Sequence, residues 1–156
     1  MGKLVILRTE SNRQITAGNA SGTSDGAAAI VLTSSQAVEK YGMKPMAKLI
    51  GWGQGGVDPK IIGVGPAPAT RRAMLKIEDI DLVEASEAVA AQSIAVAREL
   101  GFDERQRRCL LHRPPYGRLR RTSSSHEIQK RPEAKKGLSA LCIGGGMGVA
   151  AIFEKC

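Results

Sequence analysis

Aromatic residues are scarce in this sequence, at 3% of its 156 residues. Its three cysteines, an odd number, include no C-x-x-C pair, which argues against a disulfide framework and a zinc site. We therefore expect no metal and a reducing compartment. No apolar run approaches the ~20 residues that span a membrane, and the N-terminus lacks a signal-peptide pattern. A cytoplasmic location without a membrane partner is the expectation.

Acidic residues are too few to balance the basic ones, and the net charge is +8. The excess is local, because residues 104–136 hold 11 Lys/Arg and three Asp/Glu, whereas the rest of the chain holds 12 of each. Within this segment, CLLHRPPYGRLRR (109–121) has neither helical nor strand periodicity. Because basic segments bind phosphates, a non-catalytic protein that binds nucleic acid or an acidic partner is one interpretation. The single aromatic residue and the lack of a nucleic-acid motif weigh against it.

Local patterns predict helices alternating with strands. AAAIVL (27–32) predicts a short buried strand. Ser34 or Ser35 can cap a helix over QAVEKYG that ends at Gly42, and AKLIGWGQ alternates as a strand does. GPAPATRRAML predicts a helix with proline in its first turn.

The second half of the chain continues this alternation. IEDIDLVEAS predicts a turn and then a strand, and EAVAAQSIAVAREL has apolar residues at helical spacing before a stop at Gly101. GLSALCIGGGMGVAAIFEK places two apolar runs around a triple glycine, which predicts a hairpin. Together these elements predict an α/β domain.

Four segments carry a family resemblance. TAGNASGTSDGAAA (16–29), GWGQGGVDPKIIGVGPAPATRRA (51–73), DIDLVEASEAVAAQSIAVARELG (79–101) and KKGLSALCIGGGMGVAAIFEK (135–155) resemble the C-terminal domain of thiolases of the acetyl-CoA acetyltransferase type. They occur in the order of that family. The resemblance implies a thiolase C-terminal-like domain over residues 16–156, with a mixed sheet, helices on its faces and a terminal strand hairpin. Residues 1–15 are a weakly patterned segment before it.

The resemblance also implies a chemistry, namely acyl transfer and Claisen condensation between coenzyme A thioesters. The thioester is then a substrate, and no permanently bound cofactor is expected. In the family, a cysteine of the N-terminal half takes the acyl group, and the histidine of a Gly-His-Pro motif activates it. A second cysteine, in a Cys-x-Gly motif, transfers protons. The expected partners are acyl-CoA and the N-terminal half, and intact members are usually homo-oligomers.

Five residues match positions with roles in that family. Cys142 matches the second cysteine, although from composition alone it also fits a small buried residue at a strand end. Gly144 matches the position whose N–H faces the thioester oxygen, and equally fits a turn. Ala20 and Ser21 match positions that line the pantetheine arm. Ser86 stands where the family has the asparagine of NEAF, which holds a water, and the shorter serine can still form a hydrogen bond.

The Gly-His-Pro motif does not occur in this sequence, although the family has it in the region of the basic segment. HRPPYGRLR (112–120) can be written in codons that, read one base later, encode IGHPMGASG. Over residues 104–125, one codon choice gives family-like residues at 20 of 22 positions in the shifted frame. We therefore interpret 104–125 as an out-of-frame translation. The chain with these residues read in the shifted frame is called the frame-restored chain.

Two consequences follow from the out-of-frame interpretation. His112, Cys109 and His126 have no catalytic role, and the chain as written is expected to be an inactive C-terminal portion of an acetyl-CoA acetyltransferase. The shifted frame encodes ARVLV, the start of the in-frame run ARVLVTLLHEM, which is typical of an amphipathic, largely buried helix. As written, this central helix is expected to be disrupted, and the chain to fold poorly.

Overall fold

A computed structural model of the chain describes residues 29–73, 76–101 and 131–156. Residues 1–15 and 104–125, and with them the central helix expected to be disrupted, lie outside these ranges. The helices predicted within QAVEKYG, GPAPATRRAML and EAVAAQSIAVAREL, the strands predicted within AKLIGWGQ and IEDIDLVEAS, and the terminal hairpin are confirmed, with the bounds given next. In chain order the elements are α1 (Ser35–Tyr41), β1 (Ala47–Gly56), α2 (Pro66–Arg72), β2 (Leu82–Ala85), α3 (Ala90–Leu100), β3 (Lys136–Ile143) and β4 (Met147–Lys155), with 3-10 turns at Pro59–Val64, Ile77–Asp79 and Gly144–Gly146.

The four strands form one mixed sheet in the order β1-β4-β3-β2. Strand β4 is antiparallel to both β1 and β3, whereas β2 and β3 are parallel. The carboxylate of Asp81 fixes the start of the parallel pair, because its Oδ2 accepts the N–H groups of Lys135 and Lys136, both at 2.9 Å. The mixed α/β architecture expected from the sequence is therefore present.

Residues that flank α1 and α3 set the ends of these helices, as the sequence predicts. Ser34 Oγ accepts the Ala37 N–H at 3.2 Å and caps α1. Gly42 and Gly101 end α1 and α3 in the left-handed region, with φ of 59° and 73°. No described helix has both the length and the apolar character to cross a membrane.

The predicted buried strand AAAIVL is wrong for the part of it that the structure describes. Residues 29–34 form neither helix nor strand, and Ile30, Val31 and Leu32 are exposed. The physical reason is that a strand needs a neighbour to satisfy its backbone. The four-stranded sheet places none of its described strands beside this run.

One face of the sheet carries the core. Residues of β2, β3 and β4 on this face pack against α2 and α3 and are nearly inaccessible: Val83, Ala85, Leu138, Ala140, Ala150 and Ile152, with Ala69 of α2, Ala73 directly after α2, and Ala97 of α3. The opposite face is more open: Trp52 of β1 is 63% exposed and Leu141 of β3 is 38% exposed. Both α2 and α3 thus cover the same face.

Glycines in β1 allow α2 to lie close to the sheet. A Cβ atom at Gly53 would lie 2.6 Å from the Ala73 nitrogen and 2.8 Å from the Arg72 carbonyl carbon. Both are backbone atoms and cannot rotate away. Gly56, in the same strand, has nothing within 4 Å of its Cβ position.

This contrast gives a prediction on stability. In the frame-restored chain, Gly53→Ala should lower the free energy of unfolding by about 3 kcal/mol, because α2 must move away from β1. Gly56→Ala is the matched control and should leave stability within about 0.5 kcal/mol of the parent. Urea unfolding followed by circular dichroism measures both. Equal effects of the two substitutions would contradict the close packing of α2 on β1.

Candidate active site

The parallel pairing of β2 and β3 brings the carboxyl ends of these strands to one edge of the sheet. Ser86 directly follows β2, and its N–H donates to the carbonyl of Ala140 at 2.9 Å. Cys142 lies two residues further along β3, and Gly144 follows the end of that strand. Three of the five site residues expected from the sequence therefore meet at this edge. Such edges are common places for ligand sites in α/β sheets.

Cys142 is partly accessible. Its cross-strand neighbour in β4 is Gly148. A side chain at residue 148 would collide with the backbone of Gly65 and Pro66, at the start of α2. The alternative of a small buried residue does not describe Cys142, because part of its surface is accessible.

The glycine turn after β3, Gly144–Gly146, contacts the connection after β1 on one side and is open on the other. The carbonyl of Gly146 accepts the N–H of Val57 at 2.7 Å, and a Cβ at Gly146 would lie 3.0 Å from the nitrogen of Pro59. Gly145 and Gly146 have φ of 74° and 84°, which favours glycine. Gly144 is exposed and has nothing within 4 Å of its Cβ position. A ligand can therefore approach the backbone of Gly144 closely.

The connection after β1 holds this turn in place, and the sequence patterns did not predict that it would. Asp58 begins the turn Pro59–Val64 by accepting the Lys60 N–H on Oδ1 at 2.9 Å. The signal was present, because aspartate followed by proline is typical of a helix start. Only the structure shows that the Val57 N–H donates a hydrogen bond to the carbonyl of Gly146, 89 residues further along the chain.

The described residues supply some groups of the expected site and not others. They contain no histidine and no cluster of three residues able to hold a metal ion. Ala20 and Ser21 lie outside the described ranges, as do His112, Cys109 and His126. Most of the basic excess also lies outside, since the described ranges carry 12 Lys/Arg and 10 Asp/Glu, a net charge of +2 against +8 for the whole sequence. What this edge offers is one accessible thiol, one exposed serine and a turn rich in backbone donors.

Comparisons with known proteins agree on one family. Residues 43–109 match the family "Thiolase, C-terminal domain". The chain is 47% identical over 153 residues to an acetyl-CoA acetyltransferase of Syntrophomonas wolfei, covering 90% of this chain and 38% of the relative. It is 42% identical to the beta-ketothiolase BktB of Cupriavidus necator, covering 99% of this chain and 42% of that protein.

Solved structures give the same result. The chain resembles human mitochondrial 3-ketoacyl-CoA thiolase with a TM-score of 0.80 at 37% identity, over 98% of this chain and 41% of that one. A structure of human mitochondrial 3-ketoacyl-CoA thiolase in complex with CoA has a TM-score of 0.77 at 32% identity, over 99% and 41%. The chain thus spans about two fifths of the length of these proteins, and the matching part is C-terminal.

Proposed function

We propose that this chain, which belongs to the thiolase family and matches the C-terminal part of its members, is the C-terminal portion of an acetyl-CoA C-acetyltransferase. The proposed reaction is acyl transfer between coenzyme A thioesters, and the proposed substrate is acyl-CoA. The observation that carries the proposal is the convergence of Ser86, Cys142 and Gly144 at the carboxyl edge of β2 and β3.

The proposed roles follow from the chemistry that each group can perform. Cys142 exchanges a proton with the carbon next to the thioester carbonyl, a task that an accessible thiol can perform. The N–H of Gly144 is proposed to stabilise negative charge on the thioester oxygen, because backbone donors in a rigid turn need no reorganisation. Ser86 is proposed to hold a water beside that oxygen. Ala20 and Ser21 are proposed to line the pantetheine arm.

The remaining groups must come from elsewhere. The acyl-accepting cysteine belongs to the N-terminal part of the family, and its activating histidine belongs to the motif that only the shifted frame of residues 104–125 encodes. A thiol of ordinary pKa needs such a base to form the thiolate that attacks a thioester. We therefore propose that the chain as written does not catalyse acyl transfer, and that the frame-restored chain does when the N-terminal part is present.

A chimera tests this proposal. Residues 16–156 of the frame-restored chain would replace the matching C-terminal part of the Syntrophomonas wolfei acetyl-CoA acetyltransferase. We expect the chimera to cleave acetoacetyl-CoA with coenzyme A, which is followed by loss of absorbance of the substrate enolate. The same chimera carrying residues 104–125 as written is the control and should be inactive. Equal activity of the two chimeras would reject the out-of-frame interpretation, and a folded but inactive frame-restored chimera would reject the proposed reaction.

A further inference from the structure

The outer edge of β1, at one end of the sheet, has no described strand beside it. The hydrogen bond from the Val57 N–H to the Gly146 carbonyl fixes which backbone groups point to this edge. Hydrogen-bonded pairs of an antiparallel ladder alternate with non-hydrogen-bonded pairs. Counting back along the register from this bond, Trp52, Gln54 and Gly56 direct their N–H and C=O groups away from β4. An edge of this kind can pair with a strand of another chain.

The guanidinium of Arg72 lies at the middle of this edge. Its Nη1 donates to the Gln54 carbonyl at 3.0 Å, and both residues are exposed. Helix α2 can place a side chain there because it packs directly on the glycines of β1. The register of β1 with β4 shifts just before Gly51, and such an irregularity interrupts pairing. Regular backbone is therefore available only from Gly51 to Gly56, and Arg72 binds to its centre.

Without Arg72, this edge would fit the same edge of a second copy of the chain. Two antiparallel strands related by a two-fold axis present identical groups to each other. With the axis at Gln54, each Trp52 lies opposite Gly56 of the second copy, where there is no side chain to collide with. Lys48 is the single charged residue of β1 and lies before this stretch, so the strands themselves bring no like charges together. The two Arg72 side chains, in contrast, would meet at the axis, and like charges oppose association.

We propose that Arg72 blocks the outer edge of β1 against pairing with a second copy of the chain. Its guanidinium binds the central carbonyl of the edge and places a positive charge where the two copies would meet. The neighbouring Arg71 has a different task, since its Nη1 and Nη2 donate to the carboxylate and the carbonyl of Glu99 at 2.8 and 2.9 Å and join α2 to α3. This role of Arg72 in assembly does not depend on the proposed reaction.

Arg72→Ala in the frame-restored chimera tests the proposal by sedimentation velocity over a series of protein concentrations. We expect a mass that rises with concentration above that of the parent chimera, with an affinity for self-association at least about tenfold higher. Arg71→Ala is the matched control, because it removes the same charge one residue away and leaves the β1 edge covered. It should keep the mass of the parent. Circular dichroism verifies that each variant is folded, and catalytic activity is not required.

Gln54→Pro, added to Arg72→Ala, identifies the surface that associates. The Gln54 N–H points away from β4, so proline removes a donor that the ladder does not use and prevents pairing at the outer edge. This double variant should return to the mass of the parent. A parental mass of Arg72→Ala at every concentration would overturn the proposal, as would self-association that Arg71→Ala shares or that Gln54→Pro does not reduce. The same series in the frame-restored 156-residue chain has the same outcomes, since β1, α2 and β4 all belong to it.

Discussion

Cys142→Ala in the frame-restored chimera is expected to lower the rate of acetoacetyl-CoA cleavage by about 10³-fold. A positioned general acid or base raises a reaction rate by about 10²- to 10⁴-fold, and losing one should lower the rate by a factor of this size. The reason is geometric, because Cys142 is the accessible thiol at the edge where the Ser86 backbone joins β3 and where the glycine turn begins. Initial rates at saturating substrate measure the effect.

Two partial reactions, acylation of the acyl-accepting cysteine and cleavage of the carbon–carbon bond, separate a proton-transfer role of Cys142 from a structural one. Transfer of an acetyl group from acetyl-CoA to the acyl-accepting cysteine needs that thiol and its base, and no proton exchange at carbon. The Cys142→Ala chimera should therefore still gain the mass of one acetyl group, measured by mass spectrometry of the intact protein. Loss of acylation and of carbon–carbon cleavage in equal proportion would contradict the role assigned to Cys142.

Cys156 provides the matched control. It is also a free cysteine and is exposed, but it follows the last residue of β4. Because β3 and β4 are antiparallel, with Lys136 opposite Glu154 and Cys142 opposite Gly148, Cys156 lies at the other end of the hairpin. Cys156→Ala should leave both partial reactions unchanged. A large effect of this substitution would mean that thiol loss affects the fold rather than the site.

What the sequence predicted well is what depends on a few adjacent residues. Ser34 and Gly42 set the limits of α1 because a hydroxyl cap and a left-handed glycine act within one helical turn. The same reasoning placed the end of α3 at Gly101 and the turn of the hairpin at the triple glycine. These expectations required no knowledge of which strands are neighbours.

What it could not predict depends on contacts between distant segments. AAAIVL has the composition of a buried strand, but burial requires a neighbouring strand, and local sequence does not say whether one is present. The placement of Ser86 beside β3 depends on the pairing of Ala85 with Ala140, which is a property of the sheet order. The bond from Val57 to Gly146 likewise depends on tertiary packing. The family resemblance supplied the site residues, whereas local patterns alone favoured only turns and a strand end.

Recoding residues 104–125 to the shifted frame is expected to change the stability of the chain more than any single substitution. In that frame the segment gains about five large apolar side chains, each of which contributes roughly 1.5–3 kcal/mol when buried. The sum is on the order of 10 kcal/mol, as large as the whole stability of a typical domain. The chain as written places arginines there instead, which cannot be buried without a counterion.

The open face of the sheet is where we expect the restored segment to pack. Helices α2 and α3 already cover the other face, and the restored segment joins α3 to β3, one of the two inner strands of the sheet. Trp52, the single tryptophan of the chain, is 63% exposed, and it lies opposite Ala151 of β4. Its indole is therefore a natural reporter, because burial shifts tryptophan emission to shorter wavelength.

The measurement compares the two chains under identical conditions. The frame-restored chain should show a cooperative thermal transition and a Trp52 emission maximum at shorter wavelength than the chain as written, which should unfold without a sharp transition. Trp52→Phe in the frame-restored chain is the control for the origin of the signal. A cooperative transition at the same temperature in both chains would mean that residues 104–125 contribute nothing to the core. An unchanged emission maximum in a cooperatively folded frame-restored chain would place the restored segment away from the face that carries Trp52.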